Sequence, residues 1–388
     1  MSQGVSVIGV GMTSMDRRDL TPEELAIQAA SEALADAGLA PGDVSLVIFA
    51  NATGGRLWDQ GCIRGQTWLR DLGLDGAAII NVDNSCAGGS SAMHLGVLTA
   101  PSTNGPVLVV GAEKMWTGLR GETLAGIEDG LPKEERAQMK ATLDNPAGSI
   151  LMGLNATWVY KQMAERGTTV EQVAAAAVKA RRCAARNPLA QWHTEVTLEE
   201  VLASPTVAGP LTRLMCSSFT DGGAAAVLTA GKAPGAPRVL ASVARSGSGV
   251  SEYHARLGET AAAAWEMAGI SPSDLDLLEL HDATSAEELY ALESLGIFAP
   301  GDAGPATAAG DTDIWKPGVC VNTSGGLVGR GHPLGATGIA QVAEIVTHLR
   351  DRAGDRQVEN ARIGAAVNTG GIIGGDVGIA VMHILARS

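Results

Sequence analysis

Short, almost wholly apolar runs alternate along this chain with longer stretches that mix apolar and charged positions. SVIGVG (6–11) and VSLVIFAN (44–51) read as short buried strands. TPEELAIQAASEALADAGL (21–39) reads as the helix between them, opened by Thr21 with Glu24 three residues later and closed by Gly38. Strands and helices alternating at this spacing imply βαβ units and a mostly parallel sheet, the α/β class.

The pattern occurs twice. ALADAGLAPGDVSLVIFANAT (33–53) laid beneath AWEMAGISPSDLDLLELHDAT (264–284) brings Ala-Gly, Pro, Asp, a strand core and a final Ala-Thr into coincidence without a gap. NSCAGGSSAMHLG (84–96) and NTSGGLVGRGHPLGATG (322–338) are both Gly- and Ser-rich strand-to-helix turns, and PVLVVGAEK (106–114) has a partner in RIGAAVNTGG (362–371). A period this long exceeds that of stacking repeats, so the chain reads as a duplicated α/β half. The first half covers 1–230 and the second 235–388, with the Pro/Gly-rich joint GKAPGAPR at 231–238. Residues 115–220 differ in character, with the charged helices LPKEERAQMKATL (131–143) and TTVEQVAAAAVKARRCAARN (168–187). They are expected to form a loop and helical insertion that covers the first half.

Composition narrows the function classes. Hydrophobic residues make up 45% of the 388, enough for sizeable cores, but aromatics are only 3% against 50 glycines. The interior is therefore packed with Ala, Val, Leu and Ile around many tight turns. A net charge of −14 without clustered Lys and Arg argues against nucleic acid as a ligand. No apolar run spans a bilayer and the N-terminus carries no signal pattern, so the expectation is a cytoplasmic protein with no membrane partner. Cys62, Cys86, Cys183, Cys216 and Cys320 are widely spaced and never form CxxC, which disfavours disulfides and structural zinc; no bound metal is expected. GVGMTS (9–14) and GGIIGG (370–375) lack the full dinucleotide fingerprint, and no GxSxG marks a serine hydrolase.

Cys86 stands apart by context. NVDNSCAGGSSA (81–92) places a thiol where a buried strand ends and a helix begins, facing the positive end of the helix dipole, which favours thiolate. Both a nucleophile and a buried structural cysteine fit that context alone. A nucleophile needs a base. His332 lies in GRGHPLGATG, with Pro333 restricting its backbone, and His281 ends the strand DLLEL at the edge where ligand-binding residues gather. His94, His193, His254, His348 and His383 read as structural.

NSCAGGSSA, LTRLMCSSFTDGGAAAVLTA (211–230), LHDAT (280–284), NTSGGLVGRGHPLGATG and the glycine-rich last strand turn together resemble the thiolase superfamily, in matching order over nearly the whole chain. The nearest branch is the thiolases related to sterol carrier protein, which carry His-Asp where others carry Asn-Glu. The resemblance implies a duplicated five-layer αβαβα fold, a homodimer through the first half, and a thioester substrate on coenzyme A or a carrier protein, with no permanently bound cofactor. It implies that Cys86 takes the acyl group, that His332 holds its thiolate, and that His281 donates to the oxygen of a second substrate. The N–H groups of Cys86 and of Gly370 or Gly371 would form an oxyanion hole.

The chain departs from the family at the second catalytic cysteine. Asn368 stands in its place in VNTGG, and His281-Asp282 is followed by Ala283 and Thr284. Without that thiol, Claisen condensation and its reverse lose the general-base factor of about 10²–10⁴. The leading expectation is therefore an acyltransferase of lipid or secondary metabolism that needs no thiol base; decarboxylative, ketosynthase-like condensation is its companion. Retro-aldol cleavage of a steroid side-chain thioester, with a small zinc-containing OB-fold partner, is the alternative. There a tyrosine moves the proton, and of Tyr160, Tyr253 and Tyr290 the one to test is Tyr253, with Asn368 the other candidate at an acid/base position. A non-catalytic thiolase-like subunit is the remaining class. Arg181, Arg182 and Arg186 are candidates for a 3′-phosphate site or a solvated charged face.

Overall fold

The duplication is carried directly into the sheet. The structure is a computed structural model that describes residues 4–16, 20–143, 148–249 and 253–388, without the side chains of Tyr253 and His254. The first half contributes β1 (Val5–Met12), β2 (Leu46–Ala50), β3 (Ala78–Val82), β4 (Val107–Glu113) and β5 (Gly222–Ala230). The second contributes β6 (Arg238–Ser246), β7 (Leu277–Glu279), β8 (Cys320–Val321), β9 (Ile363–Ile373) and β10 (Asp376–Ala386). They pair in the order β8-β7-β9-β10-β6-β1-β5-β4-β2-β3, so each strand and its repeat partner are equally far from the β6–β1 seam. That seam consists of two residue pairs, Val5–Val239 and Ser6–Arg238.

The expected mostly parallel sheet is corrected to a mixed one. β2–β3, β2–β4, β7–β8 and β7–β9 are parallel, but β4–β5, β5–β1, β9–β10, β10–β6 and the seam are antiparallel. The last strand of each half returns beside its predecessor; β9 and β10 are joined by the tight Gly374-Gly375 turn, which only antiparallel strands allow.

Two helices, Gly88–Thr99 and Leu334–Leu349, pack against strands of both halves and form the central layer. The second is buried on every side, Thr347 alone being partly exposed, as a helix apolar all round must be. Pro22–Ala37 covers the outer face of the first half, beginning at the Thr21–Glu24 capping box and ending at Gly38 in the left-handed conformation. Tyr253–Ala268 and Ser285–Ser294 cover the second, completing the expected layered αβαβα arrangement.

The stretch 115–220 reaches both halves: Arg120–Glu128 packs on Gly54–Leu57 of the first, as expected, but the longer helices lie on the second. Its helices Ile150–Arg166 and Val170–Ala184 pack against Ser285–Ser294, Ala303–Ala309 and Gly326–Gly329 of the second half, sharing one core with Leu278, Leu280 and Leu289. The reason is the alanine face of Val170–Ala184: Gly325 and Gly329 approach Ala184 and Ala180 so closely that an added Cβ on either would meet atoms at 2.6 Å. Lys179 on the same helix reaches Glu288 at 2.5 Å and Thr312 at 3.0 Å, both in the second half.

The central helices cross on glycine. A Cβ at Gly89 would lie 2.6 Å from the Gly335 carbonyl oxygen, whereas one at Gly42 meets nothing within 4 Å. Gly89→Val is expected to destabilise the fold by about 3 kcal/mol, and Gly42→Ala to leave it unchanged, read as the difference in thermal midpoint.

Candidate active site

Cys86 follows β3 in a single helical turn, Ser85–Ala87, that leads into the central helix Gly88–Thr99. Ser85 adopts a left-handed φ of +51°, a strained value for a residue with a Cβ that lifts the next residue out of the chain path. His281 comes just after β7, and His332 just before the other central helix. Duplication thus delivers nucleophile and histidine from equivalent turns of opposite halves. Glu113 at the end of β4 ties these turns together: its carboxylate accepts from the Asn51 amide, the Ala52 and Thr53 N–H groups and the Thr53 hydroxyl at 2.5–2.9 Å, and from the Gly335 N–H at 2.9 Å.

Sγ of Cys86 and one ring nitrogen from each of His281 and His332 lie within 4.8 Å of one another. The two imidazoles meet edge to face, centroids 5.1 Å apart. The Thr337 hydroxyl gives its hydrogen to the Pro333 carbonyl at 2.9 Å, so at 2.8 Å from His332 Nδ1 it accepts. His332 therefore carries its proton on Nδ1, and Nε2, buried and without a partner, is the free lone pair.

Burial keeps all three groups neutral. It pushes the Cys86 thiol up to about 12, helped by the negative charges of Glu287 and Glu113 and opposed by a hydrogen bond from Ser85. It takes His281 down to about 4, against an interaction with Asn368, and His332 well below the usual range, with His281 and Arg330 adding to the effect. The helix dipole read from the sequence does not outweigh this desolvation, so the resting site holds a thiol beside an imidazole.

The cluster sits in a cavity of about 710 Å³, walled by Met115, Ile127, Met152, Trp158, Phe219 and Ile372. Gly370 and Gly371 line it beside the Cys86 turn. A Cβ on Gly370 would come within 2.5 Å of the Ala87 N atom, and Gly371 takes a φ of +65° inside β9, which turns its peptide planes out of the ladder. Asn368 is fully buried, and its Nδ2 donates to Gln341 at 3.0 Å.

Other predicted residues lie elsewhere. Tyr160 is exposed, Tyr290 is buried, and neither lines the cavity; Tyr253 begins a helix and its side chain lies outside the described residues. Arg181 reaches the cavity and stacks on Trp192 at 4.9 Å. Arg182 and Arg186 stack on Trp315 and pair with Asp313 and Glu195.

Two thiolase domains account for this arrangement, one in each half: "Thiolase, N-terminal domain" matches residues 5–232 and "Thiolase C-terminal domain-like" matches 250–385. The chain belongs to the thiolase family. It is 36% identical to an acetyl-CoA acetyltransferase of Methanothermobacter thermautotrophicus over 99% of both chains, and 32% identical to the benzoylsuccinyl-CoA thiolase subunit BbsB of Thauera aromatica over 96% of both. Sterol carrier protein 2 of Bos taurus is 34% identical over 96% of this chain and 71% of that one. In fold it resembles the Ltp2-ChsH2(DUF35) aldolase, with a TM-score of 0.80 at 22% identity and coverage of 99% and 98% of the two chains. Among the described residues no helix is long and apolar enough to cross a membrane.

Reading the motifs alone missed two residues of this thiolase site. Glu287 and Cys216 line the same cavity, and Cys216 bridges in the chain to Thr284, beside the seat of the missing thiol. The one available signal for Glu287 was a carboxylate pair in SAEEL, at the start of a helix whose only other charged residue is Glu293.

With its thiol held up to about 12, Cys86 carries almost no thiolate at neutral pH. Its alkylation by iodoacetamide, read by peptide mass spectrometry, should rise roughly tenfold per pH unit from pH 6 to 9 with no plateau. A plateau below pH 8 would show a stable thiolate–imidazolium pair instead.

Proposed function

We propose that this thiolase-family protein transfers an acyl group from a coenzyme A or carrier-protein thioester through an acyl-Cys86 intermediate. The observation that carries this is the Cys86–His281–His332 cluster, with a lone pair on His332 Nε2, at the floor of a large apolar cavity. His332 takes the Cys86 proton as sulfur attacks the thioester carbonyl and returns it to the departing thiol. The Cys86 N–H with that of Gly370 or Gly371 holds the tetrahedral oxyanion, and His281 donates to the carbonyl oxygen of the second substrate. Neutral partners suit this chemistry, since charge develops only in the transition state, where preorganised donors act most strongly.

A cavity of about 710 Å³ lined by Trp158, Phe219 and several Met and Ile residues favours an acyl group much larger than acetyl. Coenzyme A fits the relatives named for its thioesters, and Arg120, Arg181 and Arg213 are the cations that line the cavity. A zinc-containing OB-fold partner belongs to the proposal, the aldolase of like fold having a DUF35 component; so does a cytoplasmic location.

Incubation with long-chain and aryl-substituted acyl-CoA should leave an acyl adduct on Cys86, read by intact-protein mass. Cys86→Ala should leave none, and His332→Ala should slow adduct formation by about 10²–10⁴. An adduct that persists in Cys86→Ala would sink the proposal.

The dimer reading rests on β3, an outer strand of the sheet. Ala78 and Ile80 are exposed along it, and Leu98 is exposed on the central helix that follows it, so an outer strand with apolar side chains stands ready for a second copy. Wild type is expected to elute at the dimer mass in light-scattering chromatography, and Ile80→Asp to shift it toward monomer.

A further inference from the structure

We infer that Glu287 is the proton-transfer base of this site, standing in for the absent second thiol. The inference rests on the acyl-Cys86 reading and extends it from acyl transfer to carbon–carbon bond making and breaking. Glu287 lies in the first turn of the helix Ser285–Ser294, and it lines the cavity together with Cys86, His281, His332 and Gly370. Its Oε2 accepts from the Ala283 N–H at 3.0 Å and lies 3.9 Å from His281 Nε2. Ala283 is the position that the thiol would occupy, so the carboxylate sits beside that vacant seat.

Glu287 differs from the other deeply buried carboxylates in lining the cavity without a cation: Glu113 and Asp282 also lack a Lys or Arg pair among the described residues, but neither of them lines it. Glu288 is paired with Lys179, Asp221 with Lys114, Glu344 with Arg356 and Glu279 with Arg330. Among the described residues no Lys or Arg pairs with Glu287, which has the Ala283 amide, the Asn155 side chain and the neutral His281. A buried carboxylate without a cation, open to a substrate cavity, is costly as structure and useful as a base. Burial raises it to about 8, opposed by the Ala283 and Asn155 contacts, so it is a far stronger base than an exposed glutamate and still partly ionised near neutrality. Cys216, the rival in the same cavity, donates its hydrogen to the Thr212 carbonyl at 3.4 Å and is pushed up to about 12 by burial.

In the condensing direction the Glu287 carboxylate removes a proton from the α-carbon of a second acyl thioester, and the C–H electron pair becomes an enolate whose oxygen accepts from His281. The α-carbon attacks the carbonyl carbon of acyl-Cys86. The new C–C bond forms as the C–S bond breaks, and the proton collected by Glu287 returns to the sulfur as thiol. Cleavage runs the same steps backwards: attack of Cys86 on the 3-keto carbon breaks the C–C bond, and protonated Glu287 delivers its proton to the α-carbon.

The test is deuterium uptake at the α-carbon of acetyl-CoA and 3-phenylpropionyl-CoA in D₂O, with full-length protein, read by mass spectrometry beside the Cys86 adduct. Because the carboxylate is the active form, wild-type exchange should rise with pH and level off above about 8. Glu287→Gln should slow exchange by about 10²–10⁴ while still accumulating the acyl adduct, which reports a folded site, and Glu287→Asp should recover part of the rate. Cys216→Ser should keep the exchange. The inference is overturned if Glu287→Gln exchanges like wild type, if wild type does not exchange, or if Cys216→Ser loses exchange that Glu287→Gln keeps. Absence of the adduct on wild type counts against the acyl-cysteine reading alone, since exchange does not pass through sulfur.

Discussion

Glu113 takes no part in the proposed chemistry, yet its carboxylate holds the two halves together where the reaction occurs. Four of its hydrogen bonds come from Asn51, Ala52 and Thr53 of the first half, and the fifth from Gly335 at the start of the second half's central helix. A buried carboxylate that loses a donor bears the full desolvation cost of the missing bond, so this junction has one low-energy arrangement. His332 lies three residues before Gly335, and Cys86 two before Gly88, whose helix crosses the other on glycine. Placing that carboxylate therefore places nucleophile against base.

The same burial sets the character of the site. It keeps Cys86 and both histidines neutral, so the resting enzyme avoids an ion pair in an apolar pocket. In that medium, hydrogen-bond donors aimed at a developing oxyanion gain most of their strength only as the charge forms. Glu287 exploits the medium in the opposite sense, since desolvation makes its carboxylate more basic. One low-dielectric cavity thus supports a neutral nucleophile pair and an unusually basic carboxylate. The expectation that Claisen condensation without that thiol loses its general-base factor counted only the usual seats of the base and not the space around them.

How far the sequence could be read depended on the range of the interaction involved. The Thr21–Glu24 capping box, the apolar run of β2 and the repeat joining 33–53 to 264–284 are local or periodic features, and they carry over into the fold. The mixed strand directions were not legible, because direction is set by where the last strand of each half returns and not by its composition. Nor was the placement of the longer helices in 115–220: the alanine face of Val170–Ala184 fits Gly325 and Gly329, which lie more than 140 residues further along.

The sequence by itself determined that the chain is a duplicated α/β protein of thiolase type, because repeats and motif order are properties of the string. It also singled out Cys86 and His332, whose turns are marked by glycine and proline, and His281 at the end of a strand. Only the tertiary structure decided that their reactive atoms lie within 4.8 Å, which nitrogen of His332 is free, and that burial keeps the thiol protonated. It alone brought Glu287 to the cavity without a cation. Burial and the absence of a counter-charge are sums over neighbours from distant parts of the chain, and no local pattern of residues encodes such a sum.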